Sequence, residues 1–239
     1  QSTVGNTNEE AESSTEESTG GSTEENEESP TESDELNGEQ LFVDDFSDEV
    51  FTDRWSYIED LRDEQTEITE SGTVLRHDSP ANYGDNSPIS AQKSITAEGT
   101  HRISMRARTQ EPDYNGWGVS FSGENSGVTL KNHKWEGFDR FGVFGVTDRS
   151  SEYSSDYDQD GTQENVAKRE TATSETAFIE YSMTVDFDNN TVTSVTRGDE
   201  SWDVSFPIED IGPTYRVRLP SGGGHDIEYD SVSVSLLSE

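Results

Sequence analysis

Short runs of alternating apolar and polar residues, cut apart by turn signals, govern what this chain can become. His101-Arg-Ile-Ser-Met-Arg-Ala-Arg108 sets Ile103, Met105 and Ala107 on one side and polar or charged groups on the other. Tyr181-Ser-Met-Thr-Val-Asp-Phe187 repeats the pattern, and Val232, Val234 and Leu236 carry it near the C-terminus. A side-chain period of two fits antiparallel strands that bury one face and wet the other. Further short candidates fall at 41–46, 55–60, 64–70, 73–77, 89–95, 117–122, 127–132, 140–147, 191–197, 201–206 and 215–219. Glu70-Ser-Gly72, Asn115-Gly116, Gly123-Glu-Asn-Ser-Gly127, Asp188-Asn-Asn190, Arg197-Gly-Asp-Glu200 and Ser221-Gly-Gly-Gly224 supply the turns between them. Only 164–170 and 58–65 read as brief helices. The pattern predicts a single all-β domain, an antiparallel sandwich or barrel.

That domain begins at Leu41. Residues 1–40 hold thirteen Asp or Glu, no Lys or Arg, and no aromatic residue. Such a segment cannot bury enough apolar surface to offset its ordering entropy, so it is expected to be a disordered, self-repelling acidic tether rich in Ser, Thr and Glu. Residues 41–239 stay acidic as well, with 39 Asp or Glu against 16 Lys or Arg, only four of them Lys. An acid-rich, lysine-poor composition fits a salt-adapted, halophilic protein, because salt screens the self-repulsion.

Several partners and chemistries lose support on composition. Nucleic acid and anionic membrane surfaces call for clustered cations, and the sequence shows no such run. No apolar stretch approaches the length needed to span a bilayer. Without cysteine there are no disulfides and no thiolate metal sites. A chain starting at Gln1 fits a mature product after removal of an export signal, hence secreted or tethered at the cell surface.

The phrase Asp44-Asp45-Phe46-Ser47-Asp48 followed by Trp55, then Thr73-Val-Leu-Arg76, resembles the opening of concanavalin A-like lectin/glucanase jelly rolls of the LamG-like kind. Ile227-Glu-Tyr-Asp230-Ser-Val-Ser-Val234 is similar to their final strand, which pairs beside the first. Arg102–Arg108, Trp117–Phe121, Phe141–Val146 and Tyr181–Phe187 match the usual core strands between them. The resemblance spans roughly residues 41–238 and implies a jelly-roll β-sandwich, a fold shared by lectins, glycosidases, lyases and adhesion modules.

Asp148–Glu175 is the longest interruption, and loops of that length usually carry function. Within it, Asp156, Asp158, Asp160, Thr162 and Glu164 alternate around Gly161 as hard oxygen ligands for Ca²⁺ would. Ala167 stands where an EF-hand loop needs a bidentate Glu, so a simpler Ca²⁺-stabilised loop and a merely solvated acidic loop both stay open. For a sugar, Trp135 is the best candidate for a stacking platform, with Tyr114, Tyr153 and Tyr157 next, and a Trp135 that only caps the core from a loop is equally open. Asn115, Asn132, His133 and Asp139 are their hydrogen-bonding neighbours. Trp55, Trp117 and Trp202 fit strand patterns and read as core. Asn189-Asn190-Thr191 is an N-glycosylation sequon in an exposed turn.

Glucanases on this fold present a Glu-x-Asp-x-(x)-Glu strand motif, and none occurs here. Glu180 and Asp186 are too far apart, and Glu59–Glu64 has the wrong spacing for a carboxylate pair. The four His are scattered, without zinc-ligand spacing. The leading expectation is therefore a non-catalytic carbohydrate-binding or adhesion module for a polysaccharide or surface glycan. A structural subunit assembling with copies of itself is one alternative; a glycoside hydrolase or polysaccharide lyase is the other.

Overall fold

The computed structural model describes residues 38–47, 51–57, 67–70, 75–78, 89–109, 115–124, 126–135, 138–146, 166–170, 176–209, 211–219, 221–222 and 227–238. The acidic tether expected at 1–40 lies almost wholly outside them. Two antiparallel sheets face each other across one core. Sheet A comprises β1 (Glu39–Asp44), β3 (Glu67–Glu70), β4 (Leu75–Asp78), β7 (Thr100–Thr109), β12 (Ile179–Asp186), β13 (Thr191–Arg197), β14 (Glu200–Pro207) and β17 (Ile227–Leu237). Its order is β14-β13-β12-β7-β17-β4-β3, with β1 also on β17.

Sheet B comprises β2 (Trp55–Tyr57), β5 (Ile89–Ala91), β8 (Asn115–Ser122), β9 (Gly127–Trp135), β10 (Phe138–Val146), β11 (Val166–Glu170) and β15 (Thr214–Leu219). Its order is β11-β10-β9-β8-β15-β5-β2, with β16 (Ser221–Gly222) on β8 and β6 (Ile95–Thr96) on β15. One helical turn, α1 (Phe51–Arg54), leads into β2.

The alternation in the sequence becomes the core. Ile103, Met105 and Ala107 of β7 are buried, as are Tyr181, Met183 and Val185 of β12 and Val232 and Val234 of β17. Val119, Phe121, Val128, Leu130, Phe141, Val143, Val217 and Leu219 meet them from sheet B. Each such side chain contributes roughly 1.5–3 kcal/mol by leaving water. Two hydrogen-bonded pins join the sheets within this apolar layer. His101 Nδ1 lies 2.6 Å from the Tyr215 hydroxyl, amid Phe121 and Phe187, and Phe187 stacks on Tyr215 at 4.9 Å. Tyr229 of β17 meets the Gly118 backbone of β8. Burial raises both tyrosine pKa values and lowers that of His101, against the Glu98 carbonyl and Asp188, which favour its charge.

The Asp-Phe…Trp phrase has a physical explanation. Buried Asp44 accepts from Phe46 N at 2.9 Å, Arg54 at 2.8 Å and Trp55 Nε1 at 2.7 Å. These bonds hold Phe46 at a left-handed φ of 53°, which a bulky residue adopts only when its surroundings impose it. Phe42 and Phe46 then pack on the Trp55 ring at 5.7 and 6.0 Å. The end of β1 is thereby fixed to β2.

Two local expectations change. Residues 164–170 were expected to be a brief helix, yet Val166–Glu170 forms β11, pairing with Phe141–Phe144 of β10. Pairing with the backbone of β10 overrides a modest helix propensity. Trp135, expected between strands, is the last residue of β9, opposite Phe138. Residues 58–65 lie outside the described part.

Candidate functional site

The two outer faces of the sandwich differ in kind. On sheet A, β7 sends out Arg102, Arg106 and Arg108, and each meets a carboxylate of a neighbouring strand. Arg102 pairs with Glu180 at 2.8 Å, Arg108 with Glu228 at 2.5 Å, and Arg106 with Asp230. Phe178 lies under Arg106 and Arg108. This is a self-satisfied surface.

The outer face of sheet B is covered. Ser90 of β5, Arg218 of β15, Ser120 of β8, and Thr129 and Lys131 of β9 are all buried, although they point away from the core. They form one polar file across four adjacent strands. Ser56 and Ser90 reach backbone carbonyls at 3.5 and 3.3 Å, the long end of the hydrogen-bond range. Ser122 Oγ is buried with no partner among the described residues, and its register neighbour Arg216 is exposed. Gly118, opposite Lys131, narrows the sheet here: a Cβ at that position would lie 2.1 Å from the Leu130 carbonyl oxygen.

The register gathers several sequence candidates at one end of sheet B. Asn115 and Asp139 both pair with Lys134, His133 pairs with Gly116 and Arg140, and Trp135 closes the strand. Only their backbone placement is described. Asn132 sits in this cluster by sequence but is fully buried on the core side, level with Trp117 and Phe141. Tyr114, Tyr153 and Tyr157, and the Ca²⁺ candidates Asp156, Asp158, Asp160, Thr162 and Glu164, lie outside the described residues. Among the described residues no group of three His, Asp or Glu is placed to hold a metal. Asn189 is exposed on the turn between β12 and β13, its Nδ2 donating to Asp186 Oδ2 at 2.7 Å. Trp55 is buried and Trp202 packs against the core; the Trp117 side chain is not among those described.

Sequence reasoning did not find the polar file. Its members are single Ser, Thr, Lys and Arg residues on four strands, and only the register unites them. A separate shallow pocket of about 370 Å³ beside β1 is lined by Gln40–Val43, Asp53, Arg54, Gln92 and Lys93. It carries the most exposed large apolar side chain among the described residues, Val43, and no array of reactive groups.

No protein-family model matches the chain, and no curated protein matches it. Solved structures do. A GlcNAcα1-4Gal-releasing endo-β-galactosidase from Clostridium perfringens is similar at 8% identity and a TM-score of 0.56, with 83% of this chain and 62% of that one covered. This chain thus spans less than two thirds of that protein. A β-1,3-glucanase from Mycobacterium marinum is similar at 13% identity and a TM-score of 0.55, covering 83% and 99%. The lumenal domain of VIP36, in a form bound to Ca²⁺ and Man3GlcNAc, is similar at 9% identity and a TM-score of 0.53, covering 78% and 87%.

These likenesses establish the fold: a concanavalin A-like jelly-roll β-sandwich, as the opening and closing phrases implied. They also overturn the leading functional expectation. The similar structures are chiefly glycoside hydrolases, which counts against the expectation of a non-catalytic binding module. Among the described residues no helix is long and apolar enough to cross a membrane.

Proposed function

We propose that the chain cleaves polysaccharide, as a glycoside hydrolase or polysaccharide lyase, with the substrate held at the outer face of sheet B. The carrying observation is the buried polar file of Ser90, Arg218, Ser120, Thr129 and Lys131. The outer face of sheet A buries fewer such groups, Ser182 and Glu228, and matches its arginines with carboxylates instead. Enclosed polar groups on a rigid sheet are what orienting a sugar chain requires. Fold-level analogy to glycan-cleaving neighbours supports the reaction class. Trp135, with Tyr114, Tyr153, Tyr157, Asn115, His133 and Asp139, would add stacking and hydrogen bonds at the far end of the sheet. The spacing of Asp156, Asp158, Asp160, Thr162 and Glu164 supports a Ca²⁺-stiffened loop, and no step depends on that ion. The acidic composition and glycan-acting neighbours favour action outside the cell, in salt.

The test is direct. The full chain in molar salt is incubated with laminarin, galactan, mucin glycans, pectin and alginate. New reducing ends, unsaturated ends and polymer length are then followed. Shortening of at least one polymer, reduced by Trp135→Ala, is expected. Unchanged length across the whole panel sinks the reading.

A further inference from the structure

We propose that the polysaccharide taken by this face is anionic, bearing carboxylate or sulfate groups along its length. The inference rests on the polysaccharide reading above and names its substrate class. It comes from the charge pattern of one sheet face.

The chain holds 52 Asp and Glu against 16 Lys and Arg, a net charge of -36. A surface drawn from that composition should show about three acids for every base. Sheet B departs from this in the opposite direction. Lys131, Arg216 and Arg218 occupy alternate positions of β9 and β15 facing away from the core, and the register carries His133, Arg140 and Lys168 onto the matching alternate positions of β9, β10 and β11. Among the described residues of sheet B the one acid at such alternate spacing is Glu170, beyond the register shift that follows Lys168. Five of the 16 basic residues thus converge on one face, from sequence positions spread between 131 and 218.

The energetic setting makes this more than a solvated patch. Lys131 is 3% exposed and Arg218 6%, and both are engaged within the protein. They lie on β9 and β15 with β8 between, roughly 10 Å apart across the sheet. Holding two like charges away from water is costly even when each has contacts. A neutral glucan would draw no benefit from that arrangement. A polyanion would, because an acidic protein otherwise repels it and a local group of cations offsets that repulsion. Exposed Arg216 marks the rim of this group, and the partnerless Ser122 hydroxyl beside it can donate to an anionic oxygen.

The proposal is tested with matched polymers: polygalacturonate against its methyl ester, and dextran sulfate against dextran. Affinity electrophoresis of the full chain at several salt concentrations gives binding, and polymer length gives cleavage. The acidic member of each pair should bind at least about tenfold more tightly, about 1.4 kcal/mol. Arg216→Ala, at an exposed site, should weaken that binding severalfold with an unchanged melting temperature. Lys131→Met should weaken it further; if it does not fold, Arg216→Ala decides alone. Equal or tighter binding of the neutral members overturns the proposal, and cleavage of those neutral polymers would leave the enzyme reading intact. Binding of acidic polymers without cleavage of any polymer keeps the charge selectivity and sinks the enzyme reading. Duplex DNA held as tightly as the acidic polysaccharides also overturns it, as indiscriminate polyanion capture.

Discussion

The outer faces of the two sheets are built from the same alternation and reach opposite results. Sheet A sends out arginines from one central strand and matches each to a carboxylate next door, in partial contact with water. The more exposed of these pairs, those of Arg102 and Arg106, are worth at most about 1 kcal/mol each. Sheet B turns out Ser, Thr, Gly and cations, and keeps Ser90, Ser120, Thr129, Lys131 and Arg218 covered while Arg216 is exposed. The first arrangement needs nothing from outside the molecule. The second is a polar lining, and polar linings kept dry are where ligands are oriented. Position in the sandwich thus separates a surface whose charges are matched between neighbouring strands from one that keeps a polar file covered.

The largest test of that contrast is a single methyl group. Gly118→Ala places a Cβ against the Leu130 carbonyl on the narrow face of sheet B. It should cost about 3 kcal/mol through forced strand separation. Ser104→Ala, central on the outer face of sheet A between Ser182 and Ser233, should change stability by less than ~0.5 kcal/mol. Denaturant midpoints at one fixed salt concentration compare them. Equal losses would mean that the two faces are not differently constrained.

Next in size is the pin between the sheets. Tyr215→Phe removes the hydroxyl that meets His101 Nδ1, leaving a buried ring nitrogen unpaired at a cost of about 1–3 kcal/mol. The pin also carries a pH signature. Burial lowers the folded pKa of His101 below the ordinary 6.5. Its contribution is therefore complete above 6.5, where both states are neutral, and is lost as pH falls from there through the folded value, because the unfolded chain takes up the proton first. His101→Gln should flatten that limb of the stability profile. An unchanged slope below 6.5 would show that His101 is not responsible.

How far the sequence reveals these differences depends on whether the signal is local. Strands such as Thr100–Thr109 and Ile179–Asp186 are legible because each carries its own alternation, and their sum dictates a sandwich. The Asp44–Trp55 knot is legible as a phrase, although the left-handed Phe46 is not. Val166–Glu170 misleads because a strand's partner, here β10, is invisible in its own residues. The lining of sheet B is hidden for the same reason. Lys131 and Arg218 stand 87 positions apart in the chain and become neighbours only through β8. The absence of a cationic run in the sequence therefore says little about a cationic face. Function is hidden on similar grounds: the missing glucanase motif argues for binding alone, whereas the solved structures that share the fold are chiefly glycoside hydrolases.

A smaller effect sharpens the contrast from the side of sheet A. Arg102→Ala breaks an ion pair whose partners are 29% and 52% exposed, so the loss should stay below about 1 kcal/mol. It should fade in molar salt, where the screening length is roughly 3 Å. Lys131→Met, on the covered face, should show an effect on stability that salt hardly changes. Parallel salt dependence of the two variants would erase the distinction between the faces.

The smallest effect lies on the turn that follows β12. Asp186 accepts from the Asn189 side chain at 2.7 Å and from its backbone N–H at 2.9 Å, and these bonds hold its pKa below the ordinary 3.8. A depressed carboxylate stabilises the fold above its unfolded pKa, and that contribution disappears as pH falls through the lower folded value. Asn189→Ala removes the larger of the two causes, so Asp186 should titrate closer to 3.8 when its carboxyl carbon is followed by NMR. The same turn carries the proposed glycosylation sequon, with the Thr191 hydroxyl donating to the Asn189 carbonyl at 3.0 Å. A glycan on Asn189 would consume one amide hydrogen and leave the other for Asp186. Glycosylated protein should therefore keep the depressed titration that Asn189→Ala loses, whereas an Asp186 pKa raised by the glycan would show that attachment requires the turn to open.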